Sequence, residues 1–245
     1  MKKNICGIQQ IGVGVINAKE AWKWYREQFG MDIKVFEDTA VAELMLPHTD
    51  NKTRERYAAL AMNLEGGGGF EIWQHTGMVP QPPIFDIQLG DFGIFACKLK
   101  SRDVKTAFAT HQKNGVKILS ELKKDPKGNL HYYVKDPYGN IFEVVSNSNS
   151  YRSQKSLTGG VFGATIGVSD MEEAFKVYRD ILEYDEVVFD ESSLHEDFGD
   201  LPGSGERYRR VLLRHSKKRT GPRIEPCGTE ARIGLHEEVQ SLDFT

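Results

Sequence analysis

No apolar run in the 245-residue chain approaches the roughly 20 residues that a membrane-spanning helix requires. Cysteine is also scarce. Cys6, Cys97 and Cys227 are far apart, odd in number and free of any CxxC pairing, which excludes a disulfide framework and points to reduced thiols. Neither charge sign is in excess. Lys plus Arg number 32 against 35 for Asp plus Glu, a net charge of -3 that makes no case for nucleic acid or an anionic membrane as partner. The start, "MKKNICGIQQ", has basic residues but no apolar stretch before its glutamines, so it is not read as a secretion signal. The cytoplasm is the expected location. Hydrophobic content of 39% and charged content of 27% are those of a globular chain rather than a disordered one.

What is present is a repeat. "VGVINAKEAWKWYREQFGMDIKVFED" (Val13 to Asp38) aligns without a gap on "IGVSDMEEAFKVYRDILEYDEVVFDE" (Ile166 to Glu191). The two share Gly14/Gly167, Val15/Val168, Ala21/Ala174, Tyr25/Tyr178, Arg26/Arg179, Asp32/Asp185, Val35/Val188 and Phe36/Phe189. "ERY" then recurs at Glu55 and at Glu206. Within the repeat, Ile11, Val13 and Val15 alternate with Gln10, Gly12 and Gly14, which is strand behaviour. Asn17 is placed to cap a helix carrying Ala21, Trp24, Tyr25 and Phe29, stopped by Gly30. "DIKVFE", "RYAALAM" and "FEIWQ" read as three further strands. The unit is β-α-β-β-β.

A more diverged copy lies between. "GIFACKL" is its first strand, Ser101 its expected helix cap, and Val104, Ala107, Phe108 and His111 its helical stripe. "DPKGN" and "DPYGN" are turn signals bracketing "HYYVK" and launching "IFEVV". The expected organisation is therefore a first unit over 1–80, a second over 84–147 that pairs with the first, and a third over 157–245. Proline-rich Gln81–Pro83 and polar Ser146–Ser156 act as linkers. In the third unit "HSKKRTGPRIEPCG" reads as a solvated basic loop and "ARIGLHEEV" as the candidate last strand. Three is an awkward number for units that each bury one sheet face by pairing. A homodimer through the third unit, or a missing fourth unit, is the expected resolution.

"GVGVIN" before a helix, with Glu37 further on, imitates a dinucleotide-binding turn. Two features exclude it. Asn17 occupies the third glycine position, where close helix–strand contact tolerates no side chain. One helix followed by three strands also lacks the βαβ repetition of a parallel dinucleotide sheet. The glycines have another use: on the face of the first strand that carries Gln10, Gly12 and Gly14 leave a space that the glutamine lines.

The same alternation places Glu71 and Trp73 opposite Phe70 and Ile72, and Glu143 opposite Phe142 and Val144. A carboxylate on such an apolar surface must be neutralised, paired or metal-bound. His111 falls on a helix's apolar stripe and is expected to be structural, as are Trp22, Trp24 and Tyr25. "GGGG" (Gly66 to Gly69) reads as a flexible turn. Without a following Lys-Ser/Thr it is not a phosphate loop.

Three β-α-β-β-β units, V-x-(D/N)-x-x-x-A ahead of aromatic residues, and DPYGN-x-x-E closing one unit together resemble the vicinal oxygen chelate superfamily: glyoxalase I, bleomycin-resistance proteins and extradiol dioxygenases. The resemblance covers nearly the whole chain. It implies an α+β fold of tandem units paired into a cup-shaped mixed sheet with helices outside and a divalent metal (Zn, Ni, Mn or Mg) within. It implies ligands on the first and last strands of each unit: Gln10 and Glu71 in the first, Glu143 in the second. The glutamine is similar to that of eukaryotic glyoxalase I. Ile94 and Gly163 fall near the remaining first-strand positions and cannot bind metal, so the four-ligand pattern is incomplete. His131 and His75 are the candidate substitutes. On this resemblance the expected activity is a metal-dependent lyase or isomerase of the glyoxalase I type. It would act on a small substrate with neighbouring oxygens, with Glu143 the movable base. A non-catalytic, bleomycin-resistance-like binding protein is the alternative. A dioxygenase ranks lower, since its iron needs two histidines and a carboxylate.

Overall fold

The computed structural model describes residues 7–216 and 230–236. Three β-α-β-β-β units follow one another. The first comprises β1 (Gln10–Gly14), α1 (Ala18–Phe29), β2 (Ile33–Val41), β3 (Glu55–Asn63) and β4 (Gly68–His75). The second comprises β5 (Gly93–Ser101), α2 (Val104–Lys113), the short β6 (Lys117–Ile118) and β7 (Lys123–Lys124), β8 (Leu130–Lys135) and β9 (Ile141–Ser146). The third comprises β10 (Val161–Gly167), α3 (Met171–Phe175), β11 (Glu186–Leu194), β12 (Arg207–Arg214) and β13 (Glu230–His236). In every unit the first and last strands lie side by side in parallel, β1 on β4, β5 on β9 and β10 on β13.

Local chemistry sets the helix limits. The Asn17 side chain accepts from Glu20 N at 3.2 Å to open α1, and Gly30 ends it at φ 64°, the left-handed region that favours glycine. Asp170 opens α3 by accepting from Glu172 N and Glu173 N. α2 is capped by Asp103, not by Ser101. The helix begins at Val104, so the cap falls one residue before it, where Asp103 accepts from Thr106 N at 3.0 Å. Ser101 instead ends β5 and donates to Leu157 O at 2.7 Å.

The pairing of units differs from the expectation. β1–β4–β3–β2 form a four-stranded sheet of their own. The second and third units join edge to edge into one nine-stranded sheet, because β5 and β10 are antiparallel neighbours with Cys97 opposite Ala164. The third unit thus finds its partner inside the chain, and the candidate last strand is realised as β13. Units one and two meet through their helix faces instead. One core holds Ile11, Val13, Phe70 and Ile72 of the first sheet and Cys97, Leu99, Phe142 and Val144 of the second, with Tyr25 and Phe29 of α1 between them. Residue alternation fixes which strand face is apolar but not which free edge it joins, so the pattern served both arrangements equally.

The linker ahead of β10 is pinned to the first unit. Asn63 Nδ2 donates to Phe29 O and to Thr158 O, both at 2.8 Å, and Arg102 ion-pairs with the buried Glu65. The "GGGG" turn is likewise held fast: a Cβ on Gly66 would sit 1.2 Å from Gly159 O. Cys97 is a buried free thiol, and its burial pushes its pKa up. Cys6, Cys227 and most of the basic loop lie outside the described residues. No helix among the described residues is long and apolar enough to cross a membrane.

Candidate functional site

On the first sheet, the face turned away from the core carries Gln10, Gly12, Gly14, Glu71 and Trp73. Gln10 Nε2 donates to Glu71 Oε2 at 3.1 Å, across the parallel β1–β4 pair. Nothing lies within 4 Å of a Cβ built on Gly12 or Gly14, so the glycines do leave open space beside this pair. Beyond it opens a cleft of about 690 Å³, bounded by Gly14, Trp73, His75, Phe85, Tyr138 and Asn140 together with the proline-rich linker. Arg56 lies 5.2 Å over the Trp73 ring, and the Trp73 and His75 rings meet edge to face at 6.0 Å. Trp73 Nε1 and His75 Nδ1 are buried with no hydrogen-bond partner among the described residues.

The cup formed by the second and third units is organised differently. Glu143 on β9 is fully buried and faces β5, where its register partner is Lys98, also fully buried. The register makes the comparison with the first unit direct. Glu71 pairs with Gly12, and Gln10 lies two residues earlier. The matching positions in the second unit are Lys98 and Ala96, not Ile94. Where the first unit clears space beside its glutamate, the second installs a lysine, with its ammonium 5.7 Å over Phe162.

His131, on β8, is also fully buried. Its Nδ1 is 2.9 Å from Glu143 Oε1 and its Nε2 is 3.2 Å from Asp197 Oδ2. Arg210 Nη1, on β12, donates to that same Asp197 oxygen at 2.6 Å. Burial opposes ionisation of Asp197, but the His131 contact and the Arg210 guanidinium outweigh it and hold the carboxyl down at about 2. Nearby His195 is kept neutral, its pKa lowered by burial and by Arg210. His111 is structural, as expected: Nε2 bonds Gln28 O at 3.0 Å and Nδ1 accepts from Tyr132 Oη at 2.8 Å.

The five candidate residues therefore fall into two groups. Gln10, Glu71 and His75 belong to the first sheet; Glu143 and His131 belong to the second. Phe70 and Phe142 are in ring contact at 5.3 Å across the shared core, and each neighbouring glutamate points the other way from its own sheet. Glu71 and Glu143 do not converge on one centre. A divalent metal does not fit either set as it stands. Among the described residues no three His, Cys, Asp or Glu side chains are grouped to hold one. The first face offers two oxygen donors against the six or more that a hard cation takes, and in the second cup Arg210 already holds Asp197 while buried Lys98 stands in register with Glu143.

Lys98, Asp197 and Arg210 escape sequence reading. Lys98 stands out faintly as a charge inside the apolar "FACKL". Arg210 is one of three arginines in "RYRRVLLR", and Asp197 lies in a loop with no pattern around it.

The family profile of the Glyoxalase/Bleomycin resistance protein/Dioxygenase superfamily matches residues 7–144, more than half of the chain. No curated protein matches it in sequence. Among solved structures it is similar to glyoxalase I from Zea mays, with 15% identity and a TM-score of 0.58, covering 95% of this chain and 68% of that one. It is equally similar to a provisionally assigned dioxygenase from Bacillus subtilis strain 168, with 16% identity and a TM-score of 0.59, covering 96% and 65% respectively. At such identities these likenesses show the fold alone, and the family rests on the profile. The chain belongs to the glyoxalase/bleomycin resistance protein/dioxygenase superfamily.

Proposed function

We propose that the protein binds a small organic molecule on the outer face of its first unit, in the manner of the family's non-catalytic binding members. The observation that carries this reading is the cleft of about 690 Å³ walled by Trp73, Phe85 and Tyr138. Its size and aromatic lining suit a ligand of drug-like dimensions. The unpartnered nitrogens of Trp73 and His75 stand in that wall, where a ligand acceptor would offset their desolvation. Anilinonaphthalene sulfonate, an apolar aromatic anion, is a suitable first probe. Fluorescence titration is expected to give saturable binding that Trp73→Ala weakens about tenfold, since one aromatic contact is being removed. Binding unaffected by Trp73→Ala would refute this location.

The Gln10–Glu71 pair supports a second reading, a metal-dependent lyase or isomerase. These two side chains supply an amide and a carboxylate at 3.1 Å on the glycine-cleared face, and the remaining donors would have to come from elsewhere. In that reading Mg²⁺, Mn²⁺, Zn²⁺ or Ni²⁺ raises the melting temperature of the native chain, and Glu71→Gln abolishes the rise. Mass spectrometry of the freshly purified protein tests the same point independently. Glu143 is not retained as the base. It is enclosed with His131 on the far side of the shared core from this face.

A further inference from the structure

We propose that the cup of the second and third units is a receptor for a small carboxylate ligand, which Asp197 of the chain itself now occupies. Asp197 sits in the connection between β11 and β12. That connection crosses the cup from one wall to the other. Phe198 packs on Tyr208 of β12 at 6.1 Å and on Tyr133 of β8 at 6.4 Å. Phe198 and Leu201 are buried with Ala96, Tyr133 and Ile141 of the sheet. Leu89 N donates to Pro202 O at 2.9 Å to fasten the far end. Gly199 at φ 59° and Gly203 at φ 83° follow Asp197 in the strap and let its backbone take turns that other residues rarely adopt.

Beneath the strap, Arg210 Nη1 donates to one oxygen of Asp197, and His131 Nε2 lies 3.2 Å from the same oxygen. Arg210 is 2% exposed, yet among the described residues Nε and Nη2 have no hydrogen-bond partner, and neither does Thr165 Oγ1 on the same face of the sheet. A guanidinium fork is shaped for two parallel bonds to a carboxylate, and here only Nη1 is used. Buried donors left unpaired are costly, so the arrangement is unfinished as a structural ion pair. A free carboxylate replacing Asp197 would engage the unused nitrogens. Phe198 and Phe189, with ring centroids 4.6 and 5.5 Å from the guanidinium carbon, keep the fork in place. This receptor lies on the opposite side of the core from the Trp73 cleft, so the two readings stand or fall separately.

Asp197→Ala opens a carboxylate-sized space over Arg210. Sodium acetate is expected to raise the melting temperature of this variant by about 5 °C more than that of the unsubstituted chain at equal ionic strength. Sodium chloride should have no such effect, and Asp197→Ala with Arg210→Met should not respond. A response to phosphate without acetate, or one that survives Arg210→Met, overturns the proposal. The unsubstituted chain gives an arm that needs no variant. Acetate competing with Asp197 is expected to speed hydrogen exchange at the amides of 198–204 severalfold relative to β12. Exchange that stays unchanged up to molar acetate overturns it as well.

Discussion

His131 and Glu143 meet at 2.9 Å on adjacent antiparallel strands, both fully buried. The imidazole stands between two carboxylates, Glu143 and Asp197, and is the link on which their burial depends. His131→Leu removes it while both acids stay enclosed. Urea unfolding is expected to show a loss of about 3 kcal/mol, the order seen when one partner of a buried pair is deleted. Glu143→Leu added to it should recover part of that loss, because apolar replacement of the pair removes the stranded charge. An additive double variant would show that the two groups are not coupled.

Acid stability carries a second expectation, with a sign for each group. Asp197 has its pKa lowered to about 2, below the roughly 3.9 of an unfolded chain. Its contribution is therefore present above about pH 4 and is lost as pH falls from there toward 2, roughly 2 kcal/mol in all. His195 and His111 are also lowered, chiefly by burial. Unfolding releases them to take up protons, so their contribution is present above the ordinary histidine value near 6.5 and declines as pH falls below it. Stability measured from pH 8 to 5 should fall on the acid side. His111→Gln should flatten that slope, and a slope unchanged by it would contradict the buried neutral imidazole.

Tyr25 ties the first unit to the second. Its buried hydroxyl donates to Asp136, the aspartate of the "DPYGN" turn, and burial together with that carboxylate drives its pKa far up. Asp136 keeps other donors, among them Tyr138 N and Asn140 N, both at 2.8 Å. Tyr25→Phe should therefore cost about 1–3 kcal/mol rather than unfold the chain, with the ring packing of α1 retained. Calorimetry of the single variant checks this.

The four-glycine turn gives a contrast within one chain. Gly66→Ala would drive a methyl into the Gly159 carbonyl, so the melting temperature should drop by about 10 °C or more. Gly12→Ala meets nothing within 4 Å and should leave stability almost unchanged. Equal effects at the two positions would mean that the linker does not pack on the turn.

The sequence by itself determined the repeating unit, its helix caps at Asn17 and Asp170, and which face of each strand is apolar. These depend on period and local chemistry, and both can be read from neighbours in the chain. It also singled out Gln10, because the glycines that clear the space stand on the same strand, while Glu71 was set beside it only by the family resemblance. Edge choice came only with the tertiary structure. β5 pairs with β10 rather than serving the first unit, and alternation is blind to which free edge a strand joins. That choice set Glu71 and Glu143 on faces turned away from each other. It also gathered Glu143, His131, Asp197 and Arg210 from four segments into one buried group. Their partnership exists because burial makes each charge require the others, and no spacing along the chain records it.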